Sequence, residues 1–150
     1  VTGVQTCALP ISLAEAVLQR LERWLGRRRA WTAGEPLPGG DFRGALFAEV
    51  FESYRRRYPA LPAQWLARLL RRHGMCAAEI LGDAASEADL GRNFGGGLYE
   101  RELRYLVDRE WATEADDVLW RRTKCGLGMS AAQRGGLADW LSLSRHSARW

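Results

Sequence analysis

The side chains that most readily bind metals or act as nucleophiles in this chain are two histidines and three cysteines. His73 and His146 lie far apart, and no C-x-x-C or H-E-x-x-H spacing accompanies them, so no metal site is predicted. The odd number of cysteines, without paired spacing, argues against a secreted disulfide framework and favours a reducing compartment. Because no neighbouring base is indicated for Cys76 or Cys125, we expect buried or half-buried structural thiols. We expect His73 to end a helix.

Asp116 and Asp117 form an adjacent acidic pair of the kind that could serve general acid–base catalysis. Both fall in the first turn of a predicted helix, where carboxylates interact favourably with the helix dipole. Asp117 also precedes Arg121 by four residues, which is the spacing of an ion pair on a helix surface. Helix stability therefore explains the pair without catalytic chemistry.

Arginine clusters could bind the phosphates of nucleic acids or lipids. They are Arg27–Arg29, Arg55–Arg57 and the group Arg68, Arg71 and Arg72. The formal net charge is +4, and 18 acidic residues are interspersed with 22 basic ones, all but one of them arginine, which favours a mixed solvated surface. Two functional alternatives stay open: contact of Arg55, Arg56 and Arg57 with anionic lipid, and an independent basic helical module that binds nucleic acid or protein. The mixed charge and the lack of a helix-turn-helix signature argue against nucleic acid as a partner.

The glycine-rich segment from Asp89 to Tyr99 is the candidate for a phosphate-binding loop. No strand is predicted before it, and it has neither the G-x-G-x-x-G order nor a G-K-[ST] ending. The backbone donors and the lysine that hold phosphate are therefore not arranged as those motifs require. We expect a structural loop in which Gly95, Gly96 and Gly97 permit positive φ angles or a close approach of helices.

Apolar residues at helix spacing dominate the sequence after residue 12. The predicted helices are residues 13–28, a second from Asp41 to before Pro59, a third from Pro62 to Gly74, a short fourth around Ile80, a fifth from Leu98, a sixth from Thr113 to Gly126 and a seventh from Ser130. Ser12 with Glu15 and Ser130 with Gln133 have the spacing of capping boxes. Residues 31–40 indicate a linker or domain boundary, and residues 82–97 are loop-like.

No run of alternating β-branched residues and no internal repeat occurs, so the sequence predicts an all-α fold. About six helices would form one domain, preceded by a single further helix. The seven tryptophans are expected mainly as core anchors, because most fall on apolar helical faces. With 150 residues the chain can bury one core, and no apolar stretch approaches the roughly 20 residues of a membrane-spanning helix.

Residues 1–11 resemble the in-frame translation of a common sequencing adapter, with all eleven codons matching. A secretory signal peptide is the competing interpretation, but the stretch has no basic start, a short apolar part and no small-residue cleavage pattern. We therefore expect residues 1–11 to be foreign to the natural protein, and the native N-terminal portion to lie outside this chain.

Two long ordered motifs resemble a known enzyme family. Leu90 to Ala112 follows the pattern L-G-x-x-F-G-x-x-x-Y-E-x-E-x-x-Y-L-V-x-x-E-W-A, and Asp116 to Leu127 follows D-D-x-L-W-R-R-T-K-x-G. Both patterns are similar to the C-terminal region of aerobic, FAD-dependent glycerol-3-phosphate dehydrogenases. Shorter segments with the same resemblance are Leu13-Ala-Glu15, Ala30-Trp-Thr32 and Leu37-Pro-Gly-Gly40. The resemblance covers residues 13–144.

The resemblance implies a flavoenzyme that oxidises sn-glycerol 3-phosphate to dihydroxyacetone phosphate, reduces FAD and passes electrons to membrane quinone. The family's dinucleotide-binding glycine motif, its substrate-binding residues and the G-G-K-x-T-T-Y-R segment before L-A-E have no counterpart in this chain. No catalytic or cofactor-binding residue is therefore carried over to any position. We expect FAD in the full-length enzyme, and neither bound FAD nor dehydrogenase activity in this chain alone.

The resemblance also implies a division of the chain. Residues 12–29 would be the last helix of a truncated FAD-binding domain, and residues 30–150 the helical C-terminal domain with a structural or docking role. The expected partner is the missing FAD and substrate domain, and an anionic membrane surface is the second candidate. The expected location is the cytoplasm, with a peripheral position at the inner membrane as the alternative.

Overall fold

The computed structural model describes residues 13–26, 29 and 34–147, with side chains described as far as residue 143. The chain divides into two compact units, residues 1–37 and 38–150. The predicted adapter-derived segment 1–11 lies outside the described residues.

In the first unit, residues 13–20 (α1) and Glu22–Leu25 (α2) are helical, with a turn at Leu21 between them. Gly26 ends α2 with a φ of 74°, and its N–H donates to the Glu22 carbonyl. The predicted helix end at Arg28 and the predicted cap Ser12 lie outside the described residues. Large apolar side chains of both helices are exposed, namely Leu13, Val17, Leu18, Leu21, Trp24 and Leu25.

The second unit begins with two amphipathic helices, α3 (Phe47–Arg57) and α4 (Ala63–His73). The predicted cap of α3 at Asp41 is wrong. Arg43 and Gly44 adopt positive φ angles of 49° and 80°, which interrupt a helix before it can start. The Glu49 carboxylate instead accepts a hydrogen bond of 2.8 Å from the N–H of Leu46, at the true start of α3.

A two-stranded hairpin stands where a loop and a helix start were predicted. The short helix α5 (Ala77–Leu81) precedes it, and strand β1 (Asn93–Gly95) pairs antiparallel with β2 (Leu98–Tyr99). The next helix, α6 (Glu100–Asp108), therefore begins two residues later than the predicted start at Leu98. The pairing of Asn93 with Tyr99 draws the backbone of β2 into extended conformation and so delays the helix.

The last part of the chain contains a π-helical segment, Asp117–Arg122, and the long helix α7 (Ala131–Ser147). The predicted capping box of α7 is confirmed: the Ser130 N–H donates to Gln133 Oε1 at 2.8 Å, and the Gln133 N–H donates to Ser130 Oγ at 3.2 Å. The sixth predicted helix therefore exists as π-helix, a geometry that apolar spacing does not reveal.

Two apolar clusters fill the interior of the second unit. The first joins α3, α4 and α5 and contains Val50, Tyr54, Trp65, Leu66, Leu69, Leu70, Ile80 and Leu81. The second joins the hairpin, α6, the π-helical segment and α7 and contains Phe94, Leu98, Leu103, Leu106, Val118, Leu119, Leu137 and Leu141. Apart from the hairpin, the described residues form helices and turns, so the predicted all-α class is confirmed.

The prediction that tryptophans anchor the core holds for some positions and fails for two. Trp65 is buried, and Trp120 and Trp140 are partly buried against the second cluster. Trp24 and Trp111 are instead 63% and 82% exposed. Trp31 and Trp150 lie outside the described residues. No helix within the described residues is long and apolar enough to cross a membrane.

Candidate functional site

A buried ion cluster joins the end of α4 to α6. The Glu102 side chain is 1% exposed, and its Oε1 atom accepts hydrogen bonds from Arg72 Nη1 and, at 2.9 Å, from His73 Nε2. Nδ1 of His73 lies 3.7 Å from Oε1 of Glu110. A carboxylate removed from water in this way is stable only when cations or donors face it, and Arg72 supplies the charge.

The pairing of Glu102 with His73 has the form of an acid–base dyad, but its burial gives it a structural role. The His73 and Glu102 side chains are 3% and 1% exposed, so a substrate could not reach either group. Oε2 of Glu102 is also buried and accepts no hydrogen bond from the described residues. The prediction that His73 ends a helix is confirmed, since it is the last residue of α4.

Sequence reasoning did not identify Glu102 as a buried ion-pair partner. Its position one residue before Leu103 and four before Leu106 places it on the inward face of α6, and both leucines are fully buried. A charged residue on an apolar helix face is the sequence signal that indicates a buried ion pair. Its partner on α4 could not be read from spacing, because α4 and α6 are separated by the hairpin and α5.

The glycine-rich turn between β1 and β2 is a packing element. Gly95, Gly96 and Gly97 have φ angles of 97°, 55° and 70°, which L side chains rarely adopt. The Trp65 Nε1–H donates to the Gly97 carbonyl at 2.9 Å, and Arg68 Nη2 donates to the Gly96 carbonyl at 2.9 Å. The prediction of a structural loop with positive φ angles is confirmed.

The same turn does not fit the phosphates of FAD. A Cβ atom on Gly95 would meet the Gln133 side chain, one on Gly96 the Cys125 carbonyl and one on Gly97 the Arg68 guanidinium. Protein atoms thus pack closely against all three glycines, and the Gly95 N–H already donates to Asn93 Oδ1 at 2.8 Å. The turn also lacks the strand-to-helix geometry that dinucleotide binding uses.

Asp117 organises the start of the π-helical segment. Its carboxylate accepts hydrogen bonds from the backbone N–H groups of Thr113 and Glu114 at 2.9 and 3.1 Å, and from Arg121 at 2.6 Å. The Thr113 N–H and the Arg121 guanidinium hold the pKa of Asp117 well below its usual range. The predicted i, i+4 pair with Arg121 is confirmed, and a carboxylate so fully engaged is poorly suited to accept a proton.

Polar side chains at the end of this segment and directly after it donate to backbone carbonyls. Arg122 Nη2 donates to the Glu110 carbonyl at 2.6 Å, and Thr123 Oγ1 donates to the Val118 carbonyl at 2.6 Å. Lys124 Nζ donates to the Trp120 carbonyl. These polar groups of the motif from Asp116 to Leu127 therefore stabilise the local backbone conformation.

The two described cysteines match the prediction of structural thiols. Cys125 is buried and Cys76 is partly buried, and both are free. Burial raises the pKa of the Cys125 thiol, which disfavours the thiolate that a nucleophile needs. No group of three or more His, Cys, Asp or Glu residues in the described part of the chain is placed to hold a metal ion.

Arg55, Arg56 and Arg57 form the exposed last turn of α3. Cations at this end of a helix interact favourably with its dipole, which accounts for them without a ligand. A separate surface pocket of about 240 Å³ is lined by Pro62, Gln64, Trp65, Arg68, Gly97 and Tyr99. None of the three arginines of α3 lines it.

Comparison with known proteins assigns the chain to a family. Residues 30–147 match the family described as the C-terminal domain of alpha-glycerophosphate oxidase. The chain is 42% identical over 130 residues to the aerobic glycerol-3-phosphate dehydrogenase of Escherichia coli, which covers 86% of this chain and 26% of that protein. It is 41% identical over 138 residues to the glycerol-3-phosphate dehydrogenase of Pseudomonas aeruginosa, covering 91% of this chain and 27% of the relative.

A third relative is the D-erythritol 1-phosphate dehydrogenase of Brucella abortus, 36% identical over 129 residues that cover 85% of this chain and 26% of that protein. The chain thus spans about a quarter of the length of the curated relatives it matches. The resemblance inferred from the two sequence motifs is confirmed, and the chain belongs to the family of the C-terminal domain of alpha-glycerophosphate oxidase and glycerol-3-phosphate dehydrogenase.

Proposed function

We propose that this chain is the helical C-terminal domain of a flavoprotein that oxidises sn-glycerol 3-phosphate to dihydroxyacetone phosphate and passes electrons through FAD to quinone. The observation that carries the proposal is the family match over residues 30–147, together with relatives of whose length the match covers only about a quarter. Among the relatives compared with the chain, three carry the name glycerol-3-phosphate dehydrogenase and one the name D-erythritol 1-phosphate dehydrogenase, which supports glycerol 3-phosphate as the proposed substrate.

Within that enzyme the domain would be structural and would not itself react with substrate. Glu102 and His73 are buried in an ion cluster, Asp117 is held by the backbone of its own segment, and the glycine turn is filled by protein. Each of these groups is of a type that could support catalysis or phosphate binding, and each is engaged in the fold. The prediction that FAD and activity belong to the full-length enzyme therefore stays part of this proposal.

The proposed partner is the FAD and substrate domain of the same enzyme. Support comes from the first unit, where Leu13, Val17 and Leu25 are 65%, 47% and 56% exposed. Apolar residues with this helical spacing form a face that a protein surface normally covers. The proposed boundary at residue 30 coincides with the start of the family match.

The test of the proposal compares the chain alone with a chimaera. In the chimaera, residues 13–147 replace the matching quarter of the E. coli relative. We expect turnover of glycerol 3-phosphate by the chimaera, and neither turnover nor flavin absorbance for the isolated chain. Turnover by the isolated chain would contradict the structural role. A folded, flavin-containing chimaera without activity would contradict the assignment of the domain.

A second part of the proposal places Arg55, Arg56 and Arg57 against anionic lipid at the inner membrane surface. Replacing all three by glutamine should reduce co-sedimentation of the chain with vesicles rich in anionic lipid, because each basic residue near such a surface contributes about 1 kcal/mol. The matched control replaces Arg43, Arg104 and Arg109, three other exposed arginines, and should bind as the unmodified chain does. Binding that ignores salt and lipid charge would refute the lipid contact.

A further inference from the structure

Trp111 combines two features that are rarely found together. Its side chain is 82% exposed, and its backbone has a φ of 54°. A positive φ is an outlier for a bulky side chain, because the Cβ atom crowds the backbone. Both the exposed apolar ring and the strained backbone cost free energy in the isolated domain.

The backbone on both sides of Trp111 is fixed by hydrogen bonds. The Glu110 carbonyl accepts from Arg122, the Ala112 N–H donates to the Leu106 carbonyl at 2.9 Å, and the Thr113 N–H donates to Asp117. Arg122 and Asp117 belong to the π-helical segment. The strained conformation is therefore imposed by neighbouring structure, which is the situation in which strain points to a function.

The π-helical segment presents few free polar groups, since its charged side chains bond within the segment or to the residues before it. On its other side in sequence, Leu127 is also 82% exposed. Exposed apolar side chains thus lie on both sides of the π-helical segment in sequence, Trp111 before it and Leu127 after it. π-helical turns are frequent at functional sites of proteins.

We propose that Trp111 is the anchor through which this domain docks on the amino-terminal part of the enzyme. This inference rests on the proposed function. The occupant is indicated by length: the relatives continue for about three quarters of their sequence beyond the region matched here. Tryptophan is the residue type that most often dominates an interface, because its large ring loses contact with water when a partner covers it.

The test compares two substitutions in two settings. Trp111→Asn removes the ring and introduces a residue that tolerates positive φ. Arg43→Asn is the matched control, since Arg43 is exposed and has a φ of 49° but offers no apolar ring. In the isolated 150-residue chain, both substitutions should leave the melting temperature unchanged or raise it. In the chimaera with the E. coli relative, Trp111→Asn should lower the melting temperature by about 2–4 °C, and Arg43→Asn should not.

A melting temperature that Trp111→Asn lowers in the chimaera but not in the isolated chain is the result that supports docking. Equal effects of the two substitutions in the chimaera, or a chimaera whose two parts melt independently, would overturn it. Concentration-dependent dimers of the isolated chain that disappear on Trp111→Asn would show a second copy as the occupant and would also overturn it. A folded chimaera without turnover would refute the proposed function alone, because the melting comparison still decides the docking.

Discussion

Gly39 and Gly74 bring two backbone segments closer together than side chains would permit. Their φ angles are 80° and 54°, and a Cβ atom on either would overlap backbone atoms of the other segment, the His73 carbonyl or Gly39 itself. The Met75 N–H donates to the Gly39 carbonyl at 2.9 Å across the same contact. The segment before α3 is thereby fixed against the end of α4.

Gly39→Ala should destabilise the chain far more than Gly44→Ala. Gly44 has the same φ of 80°, but a Cβ atom there would meet nothing within 4 Å. Gly44→Ala therefore reports the cost of a positive φ alone, about 1–2 kcal/mol, whereas Gly39→Ala adds a backbone overlap and should cost at least about 3 kcal/mol. Urea unfolding of the two variants measures the difference. Equal losses of unfolding free energy in the two variants would mean that the backbone around Gly39 shifts to accommodate the Cβ atom without a further cost.

The two glycines also show what can be predicted at the level of single residues. Gly74 was predicted as a helix stop, because a glycine that follows an apolar helix commonly ends it. Gly39 was assigned to a linker, and nothing near it in sequence indicates a partner. Its partner is the carbonyl of His73, which only the folded chain brings to it.

Among the elements, the π-helical segment departs most from the sequence-based expectation. Asp117 starts it with several hydrogen bonds to backbone and side chains, and Thr123 ends it by a hydrogen bond to the Val118 carbonyl. The sequence predicts its acidic first turn and the ion pair of Asp117 with Arg121 correctly. It does not predict the π-helical geometry, because the apolar positions Val118 and Leu119 fit an α-helix equally well.

Asp117→Asn should change how stability depends on pH. The pKa of Asp117 is lowered in the folded state, so its contribution is present above the ordinary carboxyl pKa of about 4 and is lost as pH falls through the lower folded value. The variant should melt at a lower temperature than the unmodified chain at neutral pH. The difference between the two melting temperatures should narrow as the pH falls below about 3.

Circular dichroism melts over this pH range provide the measurement. Asp108→Asn is the control, because Asp108 is an exposed carboxylate at the end of α6. It removes the same charge and should leave the difference between acid and neutral stability as it was. A constant gap between Asp117→Asn and the unmodified chain at every pH would show that the carboxylate contributes through its shape alone.

The helices and the hairpin differ in how well sequence reasoning located them. The sequence locates α4 to within one residue at each end and α7 by its capping box, whereas α3 ends close to its predicted end but starts six residues after the predicted cap at Asp41. The hairpin was missed because β1 and β2 have three and two residues, too few for an alternating pattern to appear. Its glycines were recognised as structural, but their partners Trp65 and Arg68 lie on a different element.

For the molecule as a whole, the second unit holds both apolar clusters. The large side chains of α1 and α2 in the first unit are exposed. The stability of residues 38–150 should therefore depend little on the first helices. The identity of the family could be predicted from two motifs, whereas the docking residues could not, because exposure of Trp111 depends on a backbone angle that no sequence pattern reports.

Removal of residues 1–29 should leave a single cooperative unfolding transition with nearly the same midpoint, and should reduce aggregation because the exposed apolar face is lost. Thermal melts with light scattering measure both effects. Removal of a similar length from the other end, residues 122–150, is the control and should abolish the transition, since Leu137 and Leu141 are buried in the second cluster. Loss of the transition on removing residues 1–29 would refute the proposed division of the chain.

The glycine turn has a consequence for how related sequences can diverge. Its carbonyls accept hydrogen bonds from Trp65 and Arg68 of α4, while Gln133 and the Cys125 carbonyl occupy the positions that Cβ atoms on Gly95 and Gly96 would need. An insertion here would separate the two apolar clusters at their seam, whereas most surface connections lengthen at little cost. Homologues should accordingly vary in loop length elsewhere and keep this turn at three residues.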